Sequence, residues 1–115
     1  MKRGLLVLVV LVVAVVAATQ LPAVFNSRSA AAEVAAAAKP GDITMVSSVT
    51  CPYCKEARAW FTAHKVPFKE CFVERDPDCA TLYAALQSPG TPVLIVRDRR
   101  QVGFEPRRIA QALSR

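Results

Sequence analysis

The chain has 115 residues, enough for one domain of ordinary size and too few for two, and its 15 Lys and Arg against 9 Asp and Glu give a formal net charge of +6. From Gly41 onward 11 basic side chains face 8 acidic ones, a net of +3, and only Arg97, Arg99 and Arg100 cluster, so a nucleic-acid partner is not expected. Four cysteines in so short a chain, two of them as Cys51-Pro52-Tyr53-Cys54, carry more information than the charge.

Met1-Lys2-Arg3 followed by the purely apolar run Leu5 to Ala18 has the layout of a secretory signal, with Val16-Ala17-Ala18 as a cleavage point. An uncleaved anchor fits equally well. Gly4 to Phe25 contains no charge over 22 residues, about 33 Å as a helix and long enough to span a bilayer. In either case Lys2 and Arg3 stay on the cytoplasmic side, and everything after Phe25 is exported to a periplasmic or other extracytoplasmic space. Residues 26–40 are rich in alanine and poor in large apolar side chains, which reads as a linker or frayed helix. Pro40-Gly41 then opens the folded domain, expected over 41–115.

Ile43 to Val49 has strand character, with β-branched residues and apolar alternation. The period changes at Pro52, where Ala57, Trp60, Phe61 and His64 fall at helical spacing, predicting a helix to about Lys65. Pro67 stops it, and Phe68 to Val73 reads as a second strand. Asp76-Pro77 starts another helix, with Cys79, Leu82, Tyr83 and Leu86 as its apolar face, and Ser88-Pro89-Gly90 ends it. Thr91 to Val96 is the most apolar strand and is expected to be central. Asp98-Arg99 turns the chain into a strand over Gln101 to Phe104, and Pro106 starts a last helix with Ile109 and Leu113 inward. The order β-α-β-α-β-β-α predicts an α/β domain with a mixed four-stranded sheet flanked by helices, ending in a hairpin.

Cys51 falls where the first strand hands over to the first helix, beside free backbone N–H groups and the positive end of the helix dipole. A thiol there titrates at ~4–7 instead of about 8.5, which makes the thiolate a large fraction at neutral pH. Lys55 adds a nearby positive charge. Cys54 lies one turn deeper on the same face, placed to resolve a mixed disulfide formed at Cys51.

Thr50-Cys51-Pro52-Tyr53-Cys54 after a short strand, followed by Ala57 and a helix, resembles the glutaredoxin family of the thioredoxin superfamily. Gly90-Thr91-Pro92-Val93 is similar to the loop of that superfamily whose proline is cis, and the likeness covers about residues 42–114. The resemblance implies a thioredoxin-like fold and thiol–disulfide oxidoreductase activity on disulfide-containing or glutathionylated proteins. It assigns Cys51 as nucleophile and Cys54 as resolving thiol, with Pro52, Tyr53, Thr91, Pro92 and Val93 as substrate-binding residues. No bound cofactor or metal is implied. Glutathione is a candidate reductant, but the family's clamp is not matched: where a Gly-Gly pair and a Ser/Cys/Thr-Asp are usual, this chain has Val102-Gly103-Phe104-Glu105-Pro106-Arg107. That run is more similar to the glutaredoxin-like redoxins that serve ribonucleotide reductase. Glu105 is the one acidic residue there to stand in for the aspartate.

Cys71 and Cys79 admit two structural readings. An exported protein suits a second disulfide, worth ~2.6 kcal/mol for a loop of this length, whereas buried free thiols would act as small apolar residues. Against a thiol–disulfide oxidoreductase stand two other classes. One is a dedicated electron relay to a single docked protein; the other is a zinc or iron–sulfur module using all four cysteines, disfavoured by the wide spacing of Cys71 and Cys79. His64 lacks a carboxylate partner in the pattern, Trp60 and Phe61 read as core, and Arg97, Arg99, Arg100, Arg107 and Arg108 read as a solvated rim able to steer acidic partners or anionic lipid heads.

Overall fold

A computed structural model describes residues 1–22 and 28–115 in full and residues 23–27 by their place in a helix. The elements are α1 (Lys2–Ala37), β1 (Ile43–Ser47), α2 (Pro52–Ala63), β2 (Lys69–Phe72), α3 (Pro77–Leu86), β3 (Val93–Val96), β4 (Arg99–Val102) and α4 (Pro106–Leu113). The strands form one sheet in the order β2-β1-β3-β4, with β1 parallel to β2 and antiparallel to β3, and β3 antiparallel to β4. The parallel pair requires the crossover that α2 supplies, and the antiparallel pair β3–β4 needs only the tight turn at Arg97-Asp98.

Side-chain parity divides the core in two. Ile43, Met45, Leu94 and Val96 point to one face, where Ala57 and Phe61 of α2, Val66, and Ile109, Ala110, Ala112 and Leu113 of α4 cover them. Phe61 is the largest fully buried side chain, and its ring meets Phe68 with centroids 4.9 Å apart and Phe104 at 5.7 Å. The other face is thinner. Val46 and Val93 meet Cys79 of α3, while Leu82, Tyr83 and Leu86 remain half-buried. Cys71 of β2 and Cys79 of α3 form a disulfide with Cα atoms 5.9 Å apart, which ties α3 to the sheet where burial alone holds it least.

Residues 28–37 differ from the expected linker. They are the last turns of α1, and Val34 is completely buried in the α4-side core, with Ala30 and Ala31 also buried. The folded unit therefore begins well before Gly41. The reason is geometric: small alanines let α1 approach α4 closely, so a single valine suffices to key the helix into the core. The other end of α1 is a different environment. Lys2–Pro22 has a mean hydropathy of 2.7 over its apolar window and none of it is buried, which is long and apolar enough to cross a membrane.

Arg97 also departs from the sequence reading. Its backbone N–H donates to Asp42 O at 2.7 Å, and its guanidinium donates to Leu113 O and Arg115 O while lying 3.6 Å from the Asp42 carboxylate. It is a structural tie between the β3–β4 turn, the start of β1 and the end of α4, so it drops out of the solvated rim.

Candidate functional site

Cys51 is the N-cap of α2, with extended backbone (φ −91°, ψ 109°), and Pro52 follows in the first helical turn where no N–H is required. Its Sγ accepts a hydrogen bond from Cys54 N at 3.1 Å, the role an N-cap oxygen normally fills, so one helix-end donor points directly at the sulfur. Cys51 and Cys54 are joined in a disulfide with Cα atoms 5.2 Å apart. The two sulfurs are not equivalent. Cys54 is completely buried between α2 and the sheet, whereas Cys51 is partly open to solvent. Any attacking or attacked sulfur from outside meets Cys51.

The opposite wall comes from the loop before β3. The Thr91–Pro92 peptide is cis, and Thr91 O lies 3.4 Å from Cys51 Sγ. Pro92 O accepts from Gly103 N at 2.8 Å, which fastens the loop to the residue just after β4. Pro92 is itself buried, so the polar atoms presented near Cys51 are those of the Thr91 backbone. Val93 does not belong to the accessible site. It pairs with Val46 and Val102 in the sheet and is fully buried beside Cys79, because parity sends its side chain into the α3-side core. Tyr53 is 67% exposed, next to Cys51 on the outer side of the first helical turn.

A cavity of about 450 Å³ opens beside Cys51, lined by Ser48, Val49, Thr50, Pro52, Lys55 and Arg58. Ser48, Val49 and Arg58 were not singled out from the sequence. Arg58 follows Cys54 by four residues on α2, the spacing that places it on the same helix flank, and this was the one available signal. The cavity carries two cationic side chains, Lys55 and Arg58, and no acidic one.

Two carboxylates from outside the motif hold this region. Glu74, in the connection from β2 to α3, accepts from Ser48 Oγ and from Val49 N (3.1 Å), and so clips the loop that leads into Cys51. The Ser48 hydroxyl, more than the Val49 amide and the Arg75 charge, keeps the Glu74 carboxyl below its ordinary pKa against the opposing effect of desolvation. Because the Cys71–Cys79 disulfide closes the same connection, it also restrains Glu74. Glu70 on β2 accepts from Arg58 Nε at 2.6 Å and Nη2 at 2.7 Å, and from the buried Ser47 Oγ at 2.7 Å. Burial acts to raise the Glu70 pKa, but the hydrogen bonds from Arg58 and Ser47 and the guanidinium charge outweigh it, so the net direction is down.

That direction fixes a pH dependence. A carboxylate with a lowered folded pKa stabilises the protein fully above its unfolded value, about 4.5 here, and the contribution disappears as pH falls through the folded value. Glu70→Gln is therefore expected to lower the thermal midpoint at pH 7, by the equivalent of about 1 kcal/mol because the Arg58 side chain is 37% exposed. Melting curves at pH 7 and near pH 3 check this: the difference between wild type and variant should close in acid. A gap that stays constant with pH would remove the ionised pair from the account.

Glu105 is exposed and makes no side-chain capping bond at the start of α4. Phe104 packs edge-on against Trp60 with centroids 5.5 Å apart, so the Gly103-Phe104 run seals the end of the core. His64 is exposed at the end of α2 with its ring 4.7 Å from that of Trp60, apart from the cysteine pair.

A family model for glutaredoxin matches residues 43–101, the span from β1 through most of β4 and including Cys51, Cys54 and the Thr91–Pro92 loop. Among solved structures, the thioredoxin-like protein BC3987, in a mutant form, is 21% identical with a TM-score of 0.57 over 64% of this chain and 96% of its own. Methanoredoxin from Methanosarcina acetivorans is 24% identical with a TM-score of 0.54, covering 69% of this chain and 90% of its own. A glutaredoxin from Archaeoglobus fulgidus is 17% identical with a TM-score of 0.52, covering 63% and 85%. At these identities the likeness is one of fold. Among proteins of curated function, none matches this chain significantly.

Proposed function

The chain belongs to the glutaredoxin family, and on that premise we propose that it is a thiol–disulfide oxidoreductase working outside the cytoplasm, held at the membrane by its N-terminal helix. The observation that carries the redox assignment is the asymmetric pair: an open Cys51 at a helix N-terminus, capped by Cys54 N, backed by a buried Cys54 and faced by Thr91 O. The anchor reading is supported by α1 itself, which runs from the apolar span to Val34 as one helix with Val16-Ala17-Ala18 in its interior.

In the reducing direction the Cys51 thiolate attacks one sulfur of a substrate disulfide, forming a Cys51–substrate bond and expelling the other sulfur as a thiolate. Cys54, once deprotonated, attacks Cys51 Sγ, forms the Cys51–Cys54 disulfide and releases the second substrate thiolate. Two electrons pass from the protein dithiol to the substrate, and an external thiol reductant restores the pair. Thr91 offers backbone atoms to an extended substrate segment, with Pro52 and Tyr53 flanking Cys51 on the other side. With Arg58 already paired to Glu70, Lys55 is the cation of the adjoining cavity that favours disulfides with carboxylates near the sulfur, such as glutathionylated or acidic peptides.

The test is turnover of a small glutathionylated peptide by the purified full chain, with excess dithiol as reductant. Catalysis is expected; failure on every small disulfide, with rapid reaction of one cognate protein, would establish the relay instead. Equilibration against glutathione buffers then fixes the direction, since a potential near or below about −200 mV belongs to a reductant and one near −120 mV to an oxidant.

A further inference from the structure

At the end of the sheet formed by the β3–β4 hairpin and α4, Arg99 of β4, Arg108 of α4 and Arg115 line one concave surface of about 400 Å³; Arg100 borders it along β4, but its side chain lies on the α3 face and donates to Gln87 O at 3.4 Å. No carboxylate side chain lines it, and none of these three guanidinium groups forms an ion pair among the described residues. The nearby acids are Asp98 beside Arg99, Glu33 across a neighbouring cleft, and the carboxylate of Arg115 itself. The wall contains Gln101, only 6% exposed, whose Nε2 donates to Arg108 O at 2.9 Å while its Oε1 has no partner among the described residues. Three cations gathered in one depression repel one another, and an anion relieves that repulsion.

Position selects the anion. A second cleft, between α1 and α4, is lined by Ser29, Ala30 and Glu33 on one side and by Arg107, Ala110 and Gln111 on the other, and Gln111 also lines the arginine cavity. Ser29 lies seven residues beyond Pro22, the end of the apolar span, which is roughly 10 Å along a helix. That distance is close to the thickness of the headgroup layer, about 5–8 Å on each side of the hydrocarbon. The buried Val34 contact fixes α4 to this same part of α1, so the arginine cavity is carried near the membrane surface.

We propose that the Arg99–Arg108–Arg115 cavity is a binding site for the phosphate of an anionic phospholipid headgroup, which docks the redox domain on the bilayer that holds its anchor. The guanidinium groups take the phosphate oxygens. The inference rests on the anchor reading for its choice of a lipid over a soluble anion. It leaves the Cys51 chemistry as described above.

The experiment uses the full chain in neutral detergent, titrated with phosphatidylglycerol or phosphatidylcholine and followed by native mass spectrometry. Phosphatidylglycerol is expected to bind one-to-one and in preference to phosphatidylcholine. The variant with Arg99→Gln, Arg108→Gln and Arg115→Gln should bind it on the order of 100-fold more weakly, from about one kcal/mol per basic residue. Lysine at the same three positions keeps the charge and should retain most of the binding. Unchanged melting and unchanged disulfide turnover confirm that these variants fold. Equal binding of both lipids, or a glutamine variant that binds as wild type does, overturns the proposal. Displacement by inorganic phosphate at equal concentration would also overturn it, by making the ligand a soluble anion. Recovery of the intact chain from carbonate-washed membranes tests the anchor separately. Loss of residues 2–22 from the exported protein would remove the anchor while the titration still decides the lipid site.

Discussion

Cys51→Ser is expected to lower disulfide turnover by at least about three orders of magnitude, because a serine hydroxyl at this position has no thiolate to offer and no second sulfur is accessible. Cys54 cannot substitute for it: its side chain has no exposed surface, and a substrate would have to pass through Cys51 to reach it. The companion variant gives the opposite signature. Cys54→Ser leaves Cys51 free to attack, and the mixed disulfide then persists because nothing resolves it. Intact-mass measurement after mixing with a disulfide substrate should show an adduct equal to the captured half. The Cys51 assignment fails if the Cys51→Ser protein retains dithiol turnover, or if the adduct forms on the Cys51→Ser variant and not on the Cys54→Ser one. Both variants can be checked for folding by the Cys71–Cys79 bridge, which neither touches.

The cysteine pair was legible in the sequence because its chemistry is local. Three residues of a helix start set the distance between the sulfurs, the capping donor and the open first turn, and all of that is written in Cys-Pro-Tyr-Cys. The groups that brace the site were not legible in the same way. Glu74 reaches Ser48 across 26 positions and Glu70 reaches Arg58 across 12, and such pairs exist only once β1 and β2 lie side by side. Their sequence neighbourhood shows ordinary surface acids. Val93 marks a third kind of limit. A motif locates the Thr91–Pro92 loop, but the sheet register decides which of its side chains face the cysteines, and Val93 falls on the buried side by pairing with Val46. The disulfide between Cys71 and Cys79 lies between these cases. Export and spacing favour it over two buried thiols, but only the packing of α3 on β2 brings their Cα atoms to 5.9 Å.

A protein beginning at Gly41 should be less stable than one beginning at Arg28 by about 3 kcal/mol, although the two carry the same strands and the same four cysteines. Burying one valine fully accounts for about 1.5–3 kcal/mol, and Val34 is fully buried. Ala30 and Ala31 add a smaller share, and removing the helix uncovers the faces of Ile109, Ala110 and Leu113 that pack in the same core. For a domain of this size the change corresponds to a thermal midpoint lower by roughly 10–20 °C. Val34→Ala in the longer protein should reproduce about half of it, since it opens a cavity without uncovering α4. Calorimetry on the oxidised proteins decides the matter, and coincident midpoints for the two lengths would mean that α1 merely rests on the domain. The sequence gives little warning of this contact. A helix that buries a conventional apolar stripe announces itself by large residues at helical spacing, as α4 does with Ile109 and Leu113. Residues 28–37 show one valine among alanines, a pattern shared with solvated linkers, and its meaning depends on α4 presenting a surface close enough for small residues to touch. The consequence is mechanical. Because the last turns of α1 are part of the core, the cysteine pair is held in a fixed relation to them instead of swinging on a flexible tether. Shortening the protein to the motif-bearing domain would therefore remove part of the fold along with the apolar span.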